Sequence, residues 1–292
     1  MNLSRNKSLL LLHLIIIIWG FTGILGKLIS SASEIIVLYR MAIAFLVLII
    51  FCKIYYKKVR TKIIDLLKYF GIGLITAIHW VCFFESIKLS NVSLALVCLS
   101  TISLFTAILD PIFDKRNISL FEVFLSVMVV FGIIIIFKFE SLYYKAIILS
   151  IISAFFGAIF TILNHKLINS NHKSMIMTTW EMLGGSLFLL IYIFFKDASQ
   201  LVEIPKINDF IYILILGVFC TAIAFSLSIE IMKKISPFTV NLSVNLEPIY
   251  SIILALIIFG ESEIMTRGFY IGSVVIMTSV FTNIIVKRKS LK

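Results

Sequence analysis

The chain alternates between long apolar stretches and short polar connections over its whole length. A helix needs about 20 apolar residues to cross the hydrocarbon core of a bilayer. Ten stretches meet this requirement, at residues 9–28, 34–52, 66–86, 92–113, 119–137, 144–165, 174–195, 208–230, 236–259 and 266–286. The connections between them are too short to hold a soluble domain. The pattern therefore predicts an all-α integral membrane protein with ten transmembrane helices.

The composition agrees with a membrane environment. Hydrophobic residues make up 61% of the 292 residues, charged residues make up 14%, and the mean hydropathy is +1.11. Soluble domains have about 45–50% apolar and about 25% charged residues. A soluble enzyme and a disordered protein are therefore excluded. The four cysteines lie in or beside apolar runs without metal-binding or disulfide spacing, so we expect no metal and no cofactor.

The net charge of +11 is explained by the distribution of lysine and arginine among the connections. Short cytoplasmic loops of membrane proteins are enriched in these residues. If the N-terminus is cytoplasmic, 18 basic residues fall on the cytoplasmic side and seven on the other. The largest group follows the second span and consists of Lys53, Lys57, Lys58, Arg60, Lys62 and Lys68. We therefore expect a multi-pass protein of the cell (inner) membrane with both termini in the cytoplasm, and no nucleic-acid partner.

The ten spans divide into two groups of five, in residues 1–140 and 141–292. Five is an odd number, so the second group starts on the opposite side of the membrane, as in the inverted repeats of many transporters. At an offset of 145 residues, Glu85 aligns with Glu230 and Lys88 aligns with Lys233. We therefore predict two inverted five-helix repeats around a central cavity.

Four short passages, in this order along the chain, resemble motifs of one transporter family. They are Trp19–Phe21, Tyr39–Ala42, Asn91–Ala95 and Glu247–Tyr250, the last followed by Gly260 and Glu261. With the ten-span pattern, the chain resembles the EamA-type family of the drug/metabolite transporter superfamily. The resemblance implies a ten-helix carrier with alternating access between two five-helix bundles. It also implies export or exchange of amino acids and other small metabolites.

The first half departs from the family pattern in the fourth helix. Ser103 stands where the repeat offset would place the equivalent of Pro248. Lys115 and Arg116 stand where a pair similar to Gly260-Glu261 is expected. Because the fourth helix lacks this proline, we expect a proline break in the ninth helix alone.

Charged residues inside the predicted spans are the first candidates for function, because each costs about 2.5–3.5 kcal/mol on insertion scales. Glu247 lies in the ninth span directly before Pro248, which deprives the carbonyl of Val244 of its helical partner. Arg40 and Glu181 lie early in the second and seventh spans, so their charges could meet across a twofold axis. We expect Glu247 to bind an ion or a substrate amine. We expect Arg40 to bind a substrate carboxylate, or to pair with the carboxylate of Glu181 or Glu247. Snorkelling to the interface is the alternative for Arg40, and an interfacial position is likewise the alternative for Glu181.

Further candidates are polar or aromatic residues within the spans, namely Asn241, Asn245, His79, Trp19 and Tyr250. They suit the wall of a cavity for amphipathic solutes. The alternative for the asparagines and for His79 is hydrogen bonding between helices. For Trp19 the alternative is packing against lipid or other helices.

We therefore predict a secondary active transporter, acting as an exporter, for small metabolites such as amino acids. The chain has no nucleotide-binding loop, so a gradient or exchange would drive it, with protons as a candidate coupling ion. Import of a metabolite and a membrane enzyme acting on lipid remain as alternatives. A channel and a sensor are disfavoured, because neither a filter-like repeat nor a soluble module is present. The partners are a small-molecule substrate and the lipid bilayer, and a homodimer is among the oligomeric states left open.

Overall fold

The structure is a computed structural model that describes residues 4–56, 61–115, 117, 120–202 and 205–289. These residues form helices joined by short turns, and they contain no strand. The α-helices are α1 (Arg5–Leu28), α2 (Ser33–Tyr56), α3 (Ile63–Leu89), α4 (Val92–Leu99), α5 (Ile102–Asp114), α6 (Leu120–Phe139), α7 (Tyr144–Asn169), α8 (Ser174–Asp197), α9 (Ile207–Ile215), α10 (Ala224–Ile231), α11 (Pro237–Val244), α12 (Glu247–Phe259) and α13 (Arg267–Lys289). A π-helical segment, Leu216–Ile223, joins α9 to α10.

Eight helical stretches among the described residues are long and apolar enough to cross a membrane. Three of them combine shorter helices, since α4 continues into α5, α9 into α10 and α11 into α12. Large apolar side chains such as Leu46, Ile50 and Phe195 are more than half exposed, as expected for a surface covered by lipid. The chain is therefore a multi-pass membrane protein. The predicted spans 119–137 and 266–286 correspond to α6 and α13, which lie outside this set of eight, so the number ten stays a prediction.

The fourth predicted span is broken as well as the ninth, although it lacks the equivalent of Pro248, so our doubt about two equivalent breaks was wrong. The break between α4 and α5 falls at Ser100 and Thr101, whereas the break between α11 and α12 falls at Asn245 and Leu246. Every helix boundary around the first break recurs 145 residues later around the second.

The two breaks have different chemical causes. Pro248 lacks the N–H that would bond the carbonyl of Val244, the last residue of α11. No proline stands at the first break, where hydroxyl groups bond to nearby carbonyls instead. Ser100 donates to Leu96 at 3.2 Å, and Thr101 donates to Cys98 at 2.8 Å. Such side-chain bonds compete with the regular helical ladder and bend helices.

The two broken helices lie side by side and run antiparallel. α4 packs against α12, and α5 packs against α11, so the breaks face each other in the interior. Asn241 Nδ2 donates to Thr106 Oγ1 at 2.7 Å, and Asn245 Nδ2 donates to Ser103 Oγ at 2.8 Å. Side-chain hydrogen bonds therefore join α5 to α11 and to the break that follows α11.

Polar contacts between helices collect at both ends of the bundle. At one end, here called the Glu263 end, the carboxylate of Glu263 bonds Lys27 and the start of α4. At the same end, Asp209 bonds the turn between α1 and α2. The opposite end, the Glu230 end, is where Glu230 bonds Ser174 at the start of α8. Of the basic residues in the charge prediction, Lys57, Lys58, Arg60, Arg116 and Lys292 lie outside the described residues.

Two glycines allow close helix contacts at equivalent places in the two halves. Gly73 on α3 lies against the backbone carbonyl of Glu181 on α8. Gly217 in the π-helical segment lies against the backbone carbonyl of Arg40 on α2. Small residues permit such close approach between membrane helices. These contacts hold the helices that carry Arg40 and Glu181 against the centre of the bundle.

We expect Gly73→Ala to destabilise the fold by about 1–3 kcal/mol, because its Cβ would collide with the α8 backbone. Gly71→Ala is the matched control, since a Cβ there meets nothing within 4 Å. Denaturant unfolding of both variants in detergent measures the difference. Equal free energies of unfolding would contradict the close contact between α3 and α8.

Candidate functional site

A cavity lies in the interior between the broken helices and α1, α2, α3, α7 and α10. The atom-free space in the cavity and its open mouth together is about 740 Å³. At one end, the residues that line the cavity extend to Met232, near the Glu230 end of the bundle. At the other, they stop at Thr22, Arg40 and Phe83, each more than one helical turn from the Glu263 end. Most of the wall is apolar or aromatic, with a few polar groups, as in sites for small molecules.

Arg40 enters this cavity and does not reach the membrane interface. Its side chain is only 2% exposed, so the snorkelling alternative was wrong. Nε donates to Thr221 Oγ1 at 2.6 Å, and the guanidinium lies 3.9 Å from the ring centroid of Trp80. Nη1 has no hydrogen-bond partner. Neither Glu181 nor Glu247 is the direct acceptor that we expected for Arg40. One donor of the guanidinium is thus left without a partner among the described residues.

The π-helical segment positions the acceptor for Arg40. Thr221 donates its own hydroxyl to the carbonyl of Leu216 at 2.9 Å, five residues earlier. That bond orients the hydroxyl lone pairs toward Arg40. π-helical turns inside α-helices are frequent at functional sites.

Glu247 is the first residue of α12 and lines the same cavity. It is 6% exposed, and its carboxylate has no hydrogen-bond partner among the described residues. It lies near enough to Arg40 for their charges to interact, although the two form no ion pair. The cavity therefore contains one acidic and one basic side chain that do not neutralise each other by contact.

The two predicted asparagines have different surroundings. Asn241 lines the cavity, bonds Thr106, and accepts from Thr161 at 3.3 Å. Asn245 lies beside the break, outside the main cavity, and bonds Ser103. Both thus bond between helices, and Asn241 also contributes to the cavity wall.

His79 and Trp19 line the cavity, and each is held by a hydrogen bond to a neighbouring helix. His79 Nδ1 donates to the carbonyl of Ser153 on α7 at 2.7 Å. Trp19 Nε1 donates to the carbonyl of Cys220 in the π-helical segment at 3.0 Å. These bonds fix the orientation of both rings in the wall.

Glu181 lies behind the wall. It is fully buried, and it accepts one hydrogen bond, from Nδ2 of the cavity-lining Asn164 at 3.4 Å. It does not meet Arg40 across a twofold axis, contrary to our expectation, because Arg40 bonds Thr221 instead.

The structure does not bring Tyr250 into the cavity, so its placement in the wall was wrong. Its side chain is 40% exposed on α12. Ser251 is buried and bonds the carbonyl of Gly20 on α1 at 2.8 Å, so Glu247 and Ser251 share the inward face of α12. Successive residues of an α-helix are rotated by about 100° around its axis. Tyr250, one residue before Ser251, therefore points away from the inward face.

Sequence reasoning missed two residues of this site. Asn164 is an amide inside a predicted span, so the rule that selected Asn241 could have found it. Thr221 carried no such signal, because buried threonines are common and the π-helical segment was not predicted. The described residues contain no group of three His, Cys, Asp or Glu side chains placed to hold a metal ion.

A multi-pass helical protein with an interior cavity and a few unpaired charges belongs in fold and site to the class of membrane transporters. Residues 6–138 and 144–285 each match the EamA-like transporter family. The chain belongs to this family.

Two other proteins are similar to this chain. An uncharacterized transporter, YetK of Bacillus subtilis (strain 168), is 26% identical over 140 residues. This match covers 48% of the chain and 42% of the relative, so it spans less than half the length of either. A crystal structure of another protein has a TM-score of 0.70 over 95% of this chain and 96% of that chain. At 14% identity, it shows the fold alone.

We expect Thr221→Val to lower the free energy of unfolding by about 1.5–3 kcal/mol, because it removes a hydrogen bond to a buried charged group. Thr76→Val is the matched control. Thr76 is equally buried and bonds a carbonyl of its own helix, but no charged residue. If both variants lose the same stability in denaturant unfolding, Thr221 does not hold Arg40 in place.

Proposed function

We propose that the protein is a secondary active transporter that moves small metabolites such as amino acids or related amphipathic solutes. The observation that carries this proposal is the cavity that contains Arg40 and Glu247 without an ion pair between them. An amino acid carries an ammonium and a carboxylate group, which complement these two side chains. Aromatic rings such as Trp80 and Phe160 supply a surface for an apolar side chain.

We also propose that residues 1–140 and 141–292 form two inverted repeats. Two family matches in tandem, the identical spacing of both broken helices, and the antiparallel contact between those helices support this proposal. A further pair of contacts supports it. Glu85 accepts from Ser33 at 2.7 Å, and Glu230 accepts from Ser174 at 2.8 Å. These two contacts join equivalent helices at opposite ends of the bundle.

Alternating access is the mechanism that we infer from the two ends. The cavity reaches toward the Glu230 end, whereas the Glu263 end is closed by interhelical bonds. We assign the Glu230 end to the cytoplasm of the cell (inner) membrane, with both termini there, since the basic connections predict that orientation. Export driven by a gradient or by exchange follows the family resemblance, and a small-molecule substrate and protons are the proposed partners.

Transport by the full chain in reconstituted liposomes tests this function. Labelled amino acids and amines are offered with and without a pH gradient, and protein-free liposomes serve as the control. We expect at least one solute to accumulate only in the liposomes that contain the protein. If none of a broad panel moves and lipid turnover occurs instead, the protein is an enzyme acting on lipid and the transporter proposal fails.

We expect Glu247→Gln to weaken transport of an amine-bearing solute by about tenfold or more. This corresponds to the loss of a charge-assisted hydrogen bond of about 1.5–3 kcal/mol. Glu261→Gln is the control, because Glu261 is exposed at the end of α12, outside the cavity lining. Concentration-dependent uptake measures both variants. Unchanged apparent affinity in Glu247→Gln would remove this carboxylate from the substrate site.

A further inference from the structure

Glu181 is completely buried and has no cation paired with its carboxylate. Its exposure is 0%, and Oε1 has no hydrogen-bond partner among the described residues. Oε2 accepts the long bond from Asn164. By comparison, Glu34 pairs with Lys196, and Glu263 pairs with Lys27 and bonds two backbone N–H groups.

Among the described residues, no charged or titratable group on the helices around Glu181 is hydrogen-bonded or ion-paired to it. These groups include Arg40 and Cys52 on α2, Tyr69 and His79 on α3, His165 and Lys166 on α7, and Glu230 on α10. Arg40, Cys52, Tyr69, His79, Lys166 and Glu230 bond other groups instead. An ionised carboxylate without a cation in such a dry site is very unfavourable, whereas the neutral acid is tolerated. The geometry therefore favours a protonated Glu181.

A short route connects Glu181 with the cavity. Asn164 bonds Glu181 and also lines the cavity wall. The Oδ1 atom of Asn164 is buried without a partner, so this amide can rearrange without breaking a second strong bond. Glu247, by contrast, borders the cavity directly. Two carboxylates in different environments suit different tasks. Glu247 suits binding of a charged solute, and Glu181 suits binding of a proton.

We propose that Glu181 is a proton-binding site that is occupied in this conformation and exchanges its proton with the cavity through Asn164. When the side chain of Asn164 turns aside, a hydronium ion from the cavity reaches Glu181, gives its proton to a carboxylate oxygen and becomes water. On release, the proton returns to water and leaves the carboxylate. The site itself does not require transport. Its role as the coupling site for a proton gradient rests on the proposed function.

Infrared spectroscopy of the full chain in liposomes tests the site without any substrate. At neutral pH we expect a carbonyl stretching band of a protonated carboxyl group, which shifts in D₂O and is lost in Glu181→Gln. Glutamine has the shape of the neutral acid, so this variant should fold, and gel filtration verifies that. Glu34→Gln is the matched control, because an ion-paired Glu34 contributes no such band. An unchanged band in Glu181→Gln overturns the proposal.

The route is tested by the rate at which the band shifts after transfer to D₂O. We expect Asn164→Leu to keep the band and to slow this shift, because an apolar side chain then separates Glu181 from the cavity. Thr161→Val is the control, since Thr161 lines the same cavity on α7 but does not bond Glu181. An unchanged rate in Asn164→Leu would rule out exchange through Asn164.

Coupling is tested separately, with the solute identified in the liposome panel. We expect Glu181→Gln to retain exchange of that solute but to lose its acceleration by a pH gradient. If the gradient still accelerates the variant, Glu181 is not the coupling site, although the infrared result stands. If the wild type moves no solute, the proposed function fails and the infrared test of the proton site is unaffected.

Discussion

The antiparallel contact between the two broken helices is the constraint on which the rest of the structure depends. In hydrocarbon, backbone polar groups must find partners inside the protein, so a helix can break only where it is buried or lines a cavity. Both breaks meet this requirement by facing each other in the interior, where Asn241 and Asn245 bond Thr106 and Ser103. The crossing places Glu247 at the cavity, because α12 begins there.

The few charges near the crossing are tolerated in three different ways. Arg40 keeps its charge, with Thr221 as a hydrogen-bond acceptor and the ring face of Trp80 as a second partner. Glu247 borders the cavity, so water or a solute can reach its carboxylate. Glu181 is fully buried without a counter-ion, and neutralisation by a proton removes the cost of burying its charge. The surroundings of each charged residue thus distinguish its role, which the residue type alone does not indicate.

The apolar pattern was sufficient to predict a helical membrane protein, because span length depends on bilayer thickness and on nothing else in the fold. The burial of Glu247 before Pro248 was also predictable, since both residues are costly in a regular membrane helix. The break at Ser100 and Thr101 was not, because hydroxyl bonds to nearby carbonyls leave no distinctive sequence mark. Nor was the outward position of Tyr250, which depends on how α12 rotates after its break.

Two aspartates at the same position of their helices make different contacts, and one of these contacts lies at the Glu263 end. Asp209 is the third residue of α9 and bonds the turn of Ser30 and Ser31, which joins α1 to α2. Asp65 is the third residue of α3 and bonds Lys68 of its own helix. The first aspartate therefore links separate helices, whereas the second links none through this bond. In the alternating-access mechanism that we propose, the Asp209 contact would have to break for the Glu263 end to open. Breaking this contact would leave the buried carboxylate of Asp209 without hydrogen-bond partners until water enters the gap. The free-energy cost of opening would include this loss.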